Sequence, residues 1–195
     1  MQSVSALLIA STLWPAYKDA LFEHTLSPTY QFQTSTMAPS QTLLKTAKAY
    51  LTALEGVDAP SLEAVTTDNM TVTLAPASAG LGPSATRAEL LGRFEGLKHI
   101  LSSLHIEIKQ IWVNEAANQV TIWTSGGSIF KPEVIGDDDA AEWEYNSENM
   151  FLFTMDEGGE KITHLLEWCD SLSVQKMMVL FPKAAERAQL AAGSS

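Results

Sequence analysis

The sequence predicts an α+β fold, with helices packed over a strongly curved antiparallel sheet. Three observations carry that expectation. Between residues 41 and 101 apolar residues recur mostly at helical spacing, whereas from Ser103 onward they alternate with polar ones. The strands so read are long and follow one another as a meander. Two of them hold bending devices, a slip of the apolar phase near Gln110 and the pair Gly126 and Gly127, which suit a curled sheet.

The elements follow in order. Leu43, Leu44, Ala47, Tyr50, Leu51 and Leu54 form one stripe of a helix over 41–55, with Ser40 placed to cap its start and Gly56 to end it. Residues 58–65 read as a short helix with Pro60 in its first turn, and 70–74 as a strand. After a loop over 75–84, Thr86 and Glu89 have capping-box spacing and open a helix to about Leu101. In the strand over 103–113, Leu104, Ile106 and Ile108 lie on one parity and Ile111 and Val113 on the other, so a β-bulge near Gln110 or burial of both faces is expected. A turn over 114–118 leads to a strand over 120–130. The polar insertion 131–143 holds Asp137, Asp138 and Asp139, whose spacing is not that of a calcium loop, and reads as solvated. Strands over 145–155 and 161–170 make a hairpin around Gly158 and Gly159. The last helix starts near Ser171 and is expected to stop at Pro182, leaving 183–195 as a loose tail.

A chain of 195 residues suits one domain, assigned to 37–182. Residues 6–13 are apolar, but no Lys or Arg precedes them and the run is too short to span a bilayer. The stretch 27–40 is rich in Ser, Thr, Gln and Pro, so 1–36 read as a disordered extension. The net charge of -11 and the scattered placement of 12 Lys and Arg argue against nucleic-acid binding. The single cysteine, Cys169, makes an internal disulfide impossible; it is expected to be a small buried strand residue in a reducing, cytoplasmic setting. His99 and His105 lack metal-ligand spacing, and no phosphate loop or Gly-x-Ser-x-Gly elbow is present, so no cofactor or metal is expected.

The hairpin carries a family resemblance. Tyr145-Asn146-Ser147-Glu148-Asn149-Met150-Phe151, Lys161-Ile162 and Glu167-Trp168-Cys169-Asp170-Ser171 resemble the corresponding strands of fungal SnoaL-like proteins, within the nuclear-transport-factor-2-like superfamily. Ser147 and Asn149 depart from the pattern, which has Asn and an aromatic there. The resemblance runs from Leu43 to Met178. It implies a cone-shaped, cystatin-like roll that holds an apolar small molecule without a cofactor. The superfamily includes ketosteroid isomerase, scytalone dehydratase, limonene epoxide hydrolase and polyketide cyclases, as well as non-catalytic binding modules, so fold alone does not decide function.

Candidate catalytic residues are Glu148, Glu167, His164 and Asp170, with Asn146, Trp123, Met150, Leu152 and Trp168 as the expected pocket lining. An even hairpin loop would put Glu148 and Glu167 on one apolar face, where two carboxylates cannot both ionise cheaply and one can shuttle protons near neutral pH. An odd loop would instead align Glu148 with His164, Trp168 and Asp170. The plainer readings are a ladder position on a solvent face, or a salt bridge to Arg93, Lys109 or Lys161, for either glutamate, a hydrogen-bonded core role for His164, and capping of the last helix by Asp170. Two functions compete. One is a cofactor-independent enzyme for isomerisation, cyclisation, dehydration or epoxide opening on a polyketide- or terpenoid-like substrate of fungal secondary metabolism. The other is a ligand- or protein-binding module. Apolar residues on both parities of the strands predict a homodimer through the convex face of the sheet.

Overall fold

The computed structural model describes residues 37–82 and 84–193. The expected extension over 1–36 lies outside the described residues. The elements are α1 (Ser40–Glu55), α2 (Ala59–Ala64), β1 (Thr66–Ala75), β2 (Ala85–Thr86), α3 (Arg87–Leu97), β3 (Leu101–Asn114), β4 (Gln119–Phe130), α4 (Pro132–Ile135), β5 (Tyr145–Met155), β6 (Ile162–Cys169) and α5 (Ser171–Gly193). Among the described residues six strands form one curved sheet in the order β2-β1-β6-β5-β4-β3. Neighbours are antiparallel except β1 and β6, which run parallel. No hairpin constrains the direction of that pair, because residues 76–161 lie between its two strands.

Local chemistry starts the elements largely where the sequence places them. The Thr86 hydroxyl accepts from the Glu89 N–H, and the Glu89 carboxylate accepts from the Thr86 N–H at 2.7 Å, completing the capping box of α3. Ser40 does not cap α1. Its N–H and hydroxyl both donate to the Glu115 carboxylate from the β3–β4 turn, which supplies the acceptor that the first turn of a helix lacks. Gly56 keeps right-handed backbone, and Val57 takes the positive φ of 48° that ends the helix region.

The curl of the sheet comes from irregularities in β3 and β4. The register of β3 shifts between Ile108 and Gln110, as the phase slip predicts, and again between Leu101 and Ser103. Between the two shifts, where β4 pairs with His105 and Ile106, a Cβ on Gly126 would fall 1.8 Å from the His105 carbonyl oxygen, and one on Gly127 would fall 1.8 Å from that of Tyr145. Only glycine permits that approach of backbones. The inner face so formed packs Val120, Ile122, Phe151, Phe153 and Leu165 against Leu43, Ala47, Tyr50 and Leu51 of α1, all of them buried.

The C-terminal third corrects two expectations. The insertion after β4 is not simply solvated. Asp138 accepts from Lys183, Arg187 and the Trp143 indole, while both cations stack on the buried Trp143 ring. Arg187 also donates to the carbonyls of Val134 and Ile135 at the end of α4. These contacts hold the chain beyond Pro182 in helix, with Ala184 fully buried, so the region expected to be a loose tail continues α5 to Gly193. Proline removes one hydrogen bond from that helix, and the alanine-rich sequence after it keeps the helix favourable.

Candidate functional site

The hairpin register decides which side chains meet. Its loop spans six residues, 156–161, an even number, with the Asp156 carboxylate accepting from the N–H groups of Glu160 and Lys161. Above the loop Met155 pairs with Ile162, but the next pair is Thr154 with His164, so one residue is skipped at Thr163. That bulge reverses the parity of β6. Glu167 lies opposite Phe151 on the inner face, and Glu148 falls on the outer face beside Asp170. The two glutamates therefore do not form a carboxylate pair.

On the inner face the registers build a small lattice. Glu167, Phe151, Ile122 and Ile111 form one row across β6, β5, β4 and β3. The next row is Cys169, Asn149 and Thr124, followed by Ser147 with Gly126, and Tyr145 with Ser128. Burial pushes the Glu167 carboxyl up to about 7, opposed by a hydrogen bond from the Cys169 thiol. Among the described residues no Lys or Arg pairs with it. Burial also raises the pKa of the Tyr50 hydroxyl, and the Glu167 charge adds to it. Tyr145 is raised by burial, with a Ser147 hydrogen bond working the other way. The Ser128 hydroxyl is buried without a hydrogen-bond partner among the described residues. Phe181 of α5 stacks edge-on against Phe130 and Tyr145 and walls this end of the face.

A carboxyl that titrates near neutral pH among Phe151, Tyr50 and Cys169 can both give and take a proton. Asn149, Ser147, Tyr145 and Ser128 offer hydrogen-bonding groups two to six residues along the strands from that row. Sequence reasoning passed over these groups. It treated Ser147 and Asn149 only as departures from a family pattern, although their parity with the apolar Phe151 and Phe153 marks them as inward-facing.

The remaining expected residues gather on the outer face. Trp123, Met150 and Trp168 form one row, and Leu152 lies in the next with Thr121 and Leu166. The Trp123 indole donates to Glu148 at 3.2 Å. Trp123, Glu148, Met150, Trp168 and Asp170 line a hollow of about 360 Å³. Asn149, Cys169, Ser171 and Leu172 complete its lining, so the hollow is built mainly on the face opposite Glu167 and reaches the row next to it at the sheet's end. Asn146 is exposed, and its carbonyl accepts from Ser173. His164 hydrogen-bonds Thr73 at 3.1 Å and lies several rows from Glu148, so the carboxylate–histidine pair does not form. Ile162 has the sequence parity of His164, but the bulge between them turns it to the inner side, where it is fully buried. Asp170 caps α5, accepting from the Leu172 N–H and the Ser173 hydroxyl, which hold its pKa below the usual carboxylate range. Cys169 is buried, as expected. Among the described residues no cluster of His, Cys, Asp and Glu has the arrangement of a metal site, and no helix is long and apolar enough to cross a membrane.

Comparison with known proteins places this architecture. No family model and no curated protein matches the sequence. Solved structures do match. PrhC from Penicillium brasilianum superposes with a TM-score of 0.63 over 76% of this chain and 95% of its own, at 17% identity. An nuclear-transport-factor-2-like protein from Burkholderia pseudomallei has a TM-score of 0.53 at 10% identity, covering 71% of this chain and 98% of its own. The chain has the nuclear-transport-factor-2-like fold. The BvnE pinacolase from Penicillium brevicompactum shares this nuclear-transport-factor-2-like fold, with a TM-score of 0.60 over 78% of this chain and 97% of its own, at 20% identity.

Proposed function

We propose that this protein is a cofactor-independent enzyme that moves protons on an apolar small molecule held against the inner face of the sheet, with Glu167 as the acid–base group. The observation that carries this reading is the Glu167 carboxyl, brought to about 7 by burial and free of any cationic partner among the described residues. Asn149, Tyr145 and Ser128 would orient the substrate's oxygen atoms, and the buried Phe151 and Tyr50 would keep the Glu167 carboxyl desolvated. Isomerisation, cyclisation, dehydration and epoxide opening all need such a proton shuttle. A polyketide- or terpenoid-like substrate of fungal secondary metabolism and a SnoaL-like lineage fit this reading, and the pinacolase among the structural neighbours lends it support. The same reading includes a homodimer across the outer face and a reducing, cytoplasmic compartment for the lone thiol.

Deuterium exchange tests the proposal without knowledge of the substrate. The protein is incubated in heavy water with α-tetralone, an apolar ketone with acidic C–H bonds, and the ketone's mass is followed. The wild type should incorporate deuterium above the buffer rate, increasingly as pH rises through about 7, and Glu167→Gln should fall to the buffer rate. Equal incorporation by both proteins would remove Glu167 from the chemistry.

The binding-module reading draws on a different observation, the exposed aromatic hollow on the outer face. It calls for tight ligand binding that Glu167→Gln leaves unchanged.

A further inference from the structure

The outer-face hollow has a composition that the inner-face chemistry leaves unused. Its floor is Met150 on β5, and its walls are Trp123 on β4 and Trp168 on β6, joined in one row by the strand registers. Trp168 is 54% exposed and Trp123 38% exposed, so neither indole is consumed by the core. Strands lie about 4.8 Å apart, so the backbone positions of Trp123 and Trp168, two strands apart, are about 10 Å from each other. Indoles rising from positions at that spacing can flank a single cation within the ~6 Å reach of a cation–π contact.

The neighbouring row supplies charge. Glu148 and Asp170 are cross-strand neighbours, linked by the Asp170 N–H to the Glu148 carbonyl at 3.2 Å. Like charges placed opposite each other on a sheet face destabilise it. Among the described residues neither carboxylate has a Lys or Arg partner within salt-bridge distance. The Trp123 indole N–H fixes the Glu148 carboxylate against the aromatic wall. Beyond the hollow, on the opposite side of the Trp row, lie Leu152 and Leu166, so this face is acidic on one side of the row and apolar on the other.

We propose that this hollow binds an organic cation, an alkylammonium whose charged head sits between Trp123 and Trp168 beside Glu148 and Asp170 and whose apolar arm lies over Leu152 and Leu166. The site uses residues of one chain at the end of the face where β6 passes into α5. Its charge complementarity selects against anions and against neutral molecules of the same shape. The residues it uses, Trp123, Glu148, Met150 and Trp168, lie on the other face from Glu167, and the proposal does not rest on the proton chemistry proposed there.

The test is a titration of the full chain with butyltrimethylammonium, followed by tryptophan fluorescence and calorimetry, with light scattering reporting the oligomeric state. The neutral 3,3-dimethyl-1-butanol and the anion butanesulfonate are titrated in parallel. The cation should bind saturably, the neutral compound about tenfold more weakly or less, and the anion not at all. Glu148→Gln and Trp168→Ala should each weaken the cation about tenfold, with melting temperatures close to wild type because both side chains lie at the surface. Added salt should weaken the wild type more than Glu148→Gln. Equal affinity for the cation and the neutral compound would overturn the proposal, as would the absence of saturable cation binding in every oligomeric state or unchanged affinity in both variants.

Discussion

Glu167 is an acid placed where the folded protein prefers it neutral, and that preference has a thermodynamic sign. Its folded pKa of about 7 lies above the ordinary value of 4.5, so between those pH values the native state binds more protons than the unfolded chain. Stability contributed by the protonated form is fully present below the ordinary value and is lost as pH rises through about 7. Glu167→Gln keeps the shape and removes the titration. The variant should therefore melt higher than wild type at pH 8, by the equivalent of roughly 1–3 kcal/mol, with the gap closing by about pH 5. Thermal melts at the two pH values check this, and a gap that is constant with pH would mean an unperturbed carboxyl. The sequence shows that Glu167 sits among apolar residues, which is why it is readable as a proton shuttle. It does not show that Glu148 points elsewhere, because the one-residue bulge at Thr163 carries no glycine or proline to announce it.

At the scale of elements, the glycines separate bending from mere tolerance. Gly126→Ala would drive a methyl group into the His105 carbonyl, and the loss should reach about 3 kcal/mol or more. Gly92 lies in the middle of α3 with open space around it, so Gly92→Ala should stabilise by about 0.5–1 kcal/mol. Chemical denaturation of the two variants checks both signs. The bending role of Gly126 and Gly127 is legible in the sequence, since glycines within an otherwise β-branched and aromatic run mark a close approach. The length of α5 is not legible, because Pro182 reads as a stop and the contact that overrides it is distant in sequence. Asp138 holds Lys183, Arg187 and Trp143 together, and those bonds keep its carboxyl well below the usual range. Asp138→Asn should loosen the helix after Pro182, seen as faster amide hydrogen exchange over 183–190. Wild type should show the same loosening only as pH falls below the ordinary carboxylate value through the depressed one, and also at high salt. Unchanged exchange in the variant would show that apolar packing alone holds this segment.

For the whole molecule, the sheet presents one face to the helices and leaves Trp112, Trp123, Met150 and Trp168 exposed on the other. A second copy seated on the Trp112 side of that face, leaving the hollow at Trp123 and Trp168 open, should appear as a dimer by light scattering at micromolar concentration, and Trp112→Glu should shift it toward monomer. A monomeric wild type would contradict the dimer. The α+β architecture and the order of its main elements are legible because periodicity reports them directly. The assignment of faces is not, since it depends on two strand irregularities and on a parallel pairing between distant strands. That assignment turns the expected pocket wall into the outer surface and puts Tyr145, Ser147 and Asn149 inside. The account rests most heavily on the inner-face carboxyl, and a titration of the Glu167 carboxyl carbon by nuclear magnetic resonance tests it directly. The midpoint should lie near 7 and should belong to a resonance absent from Glu167→Gln, whereas a midpoint near the reference value of about 4.3 for glutamate would contradict the proposed acid–base role.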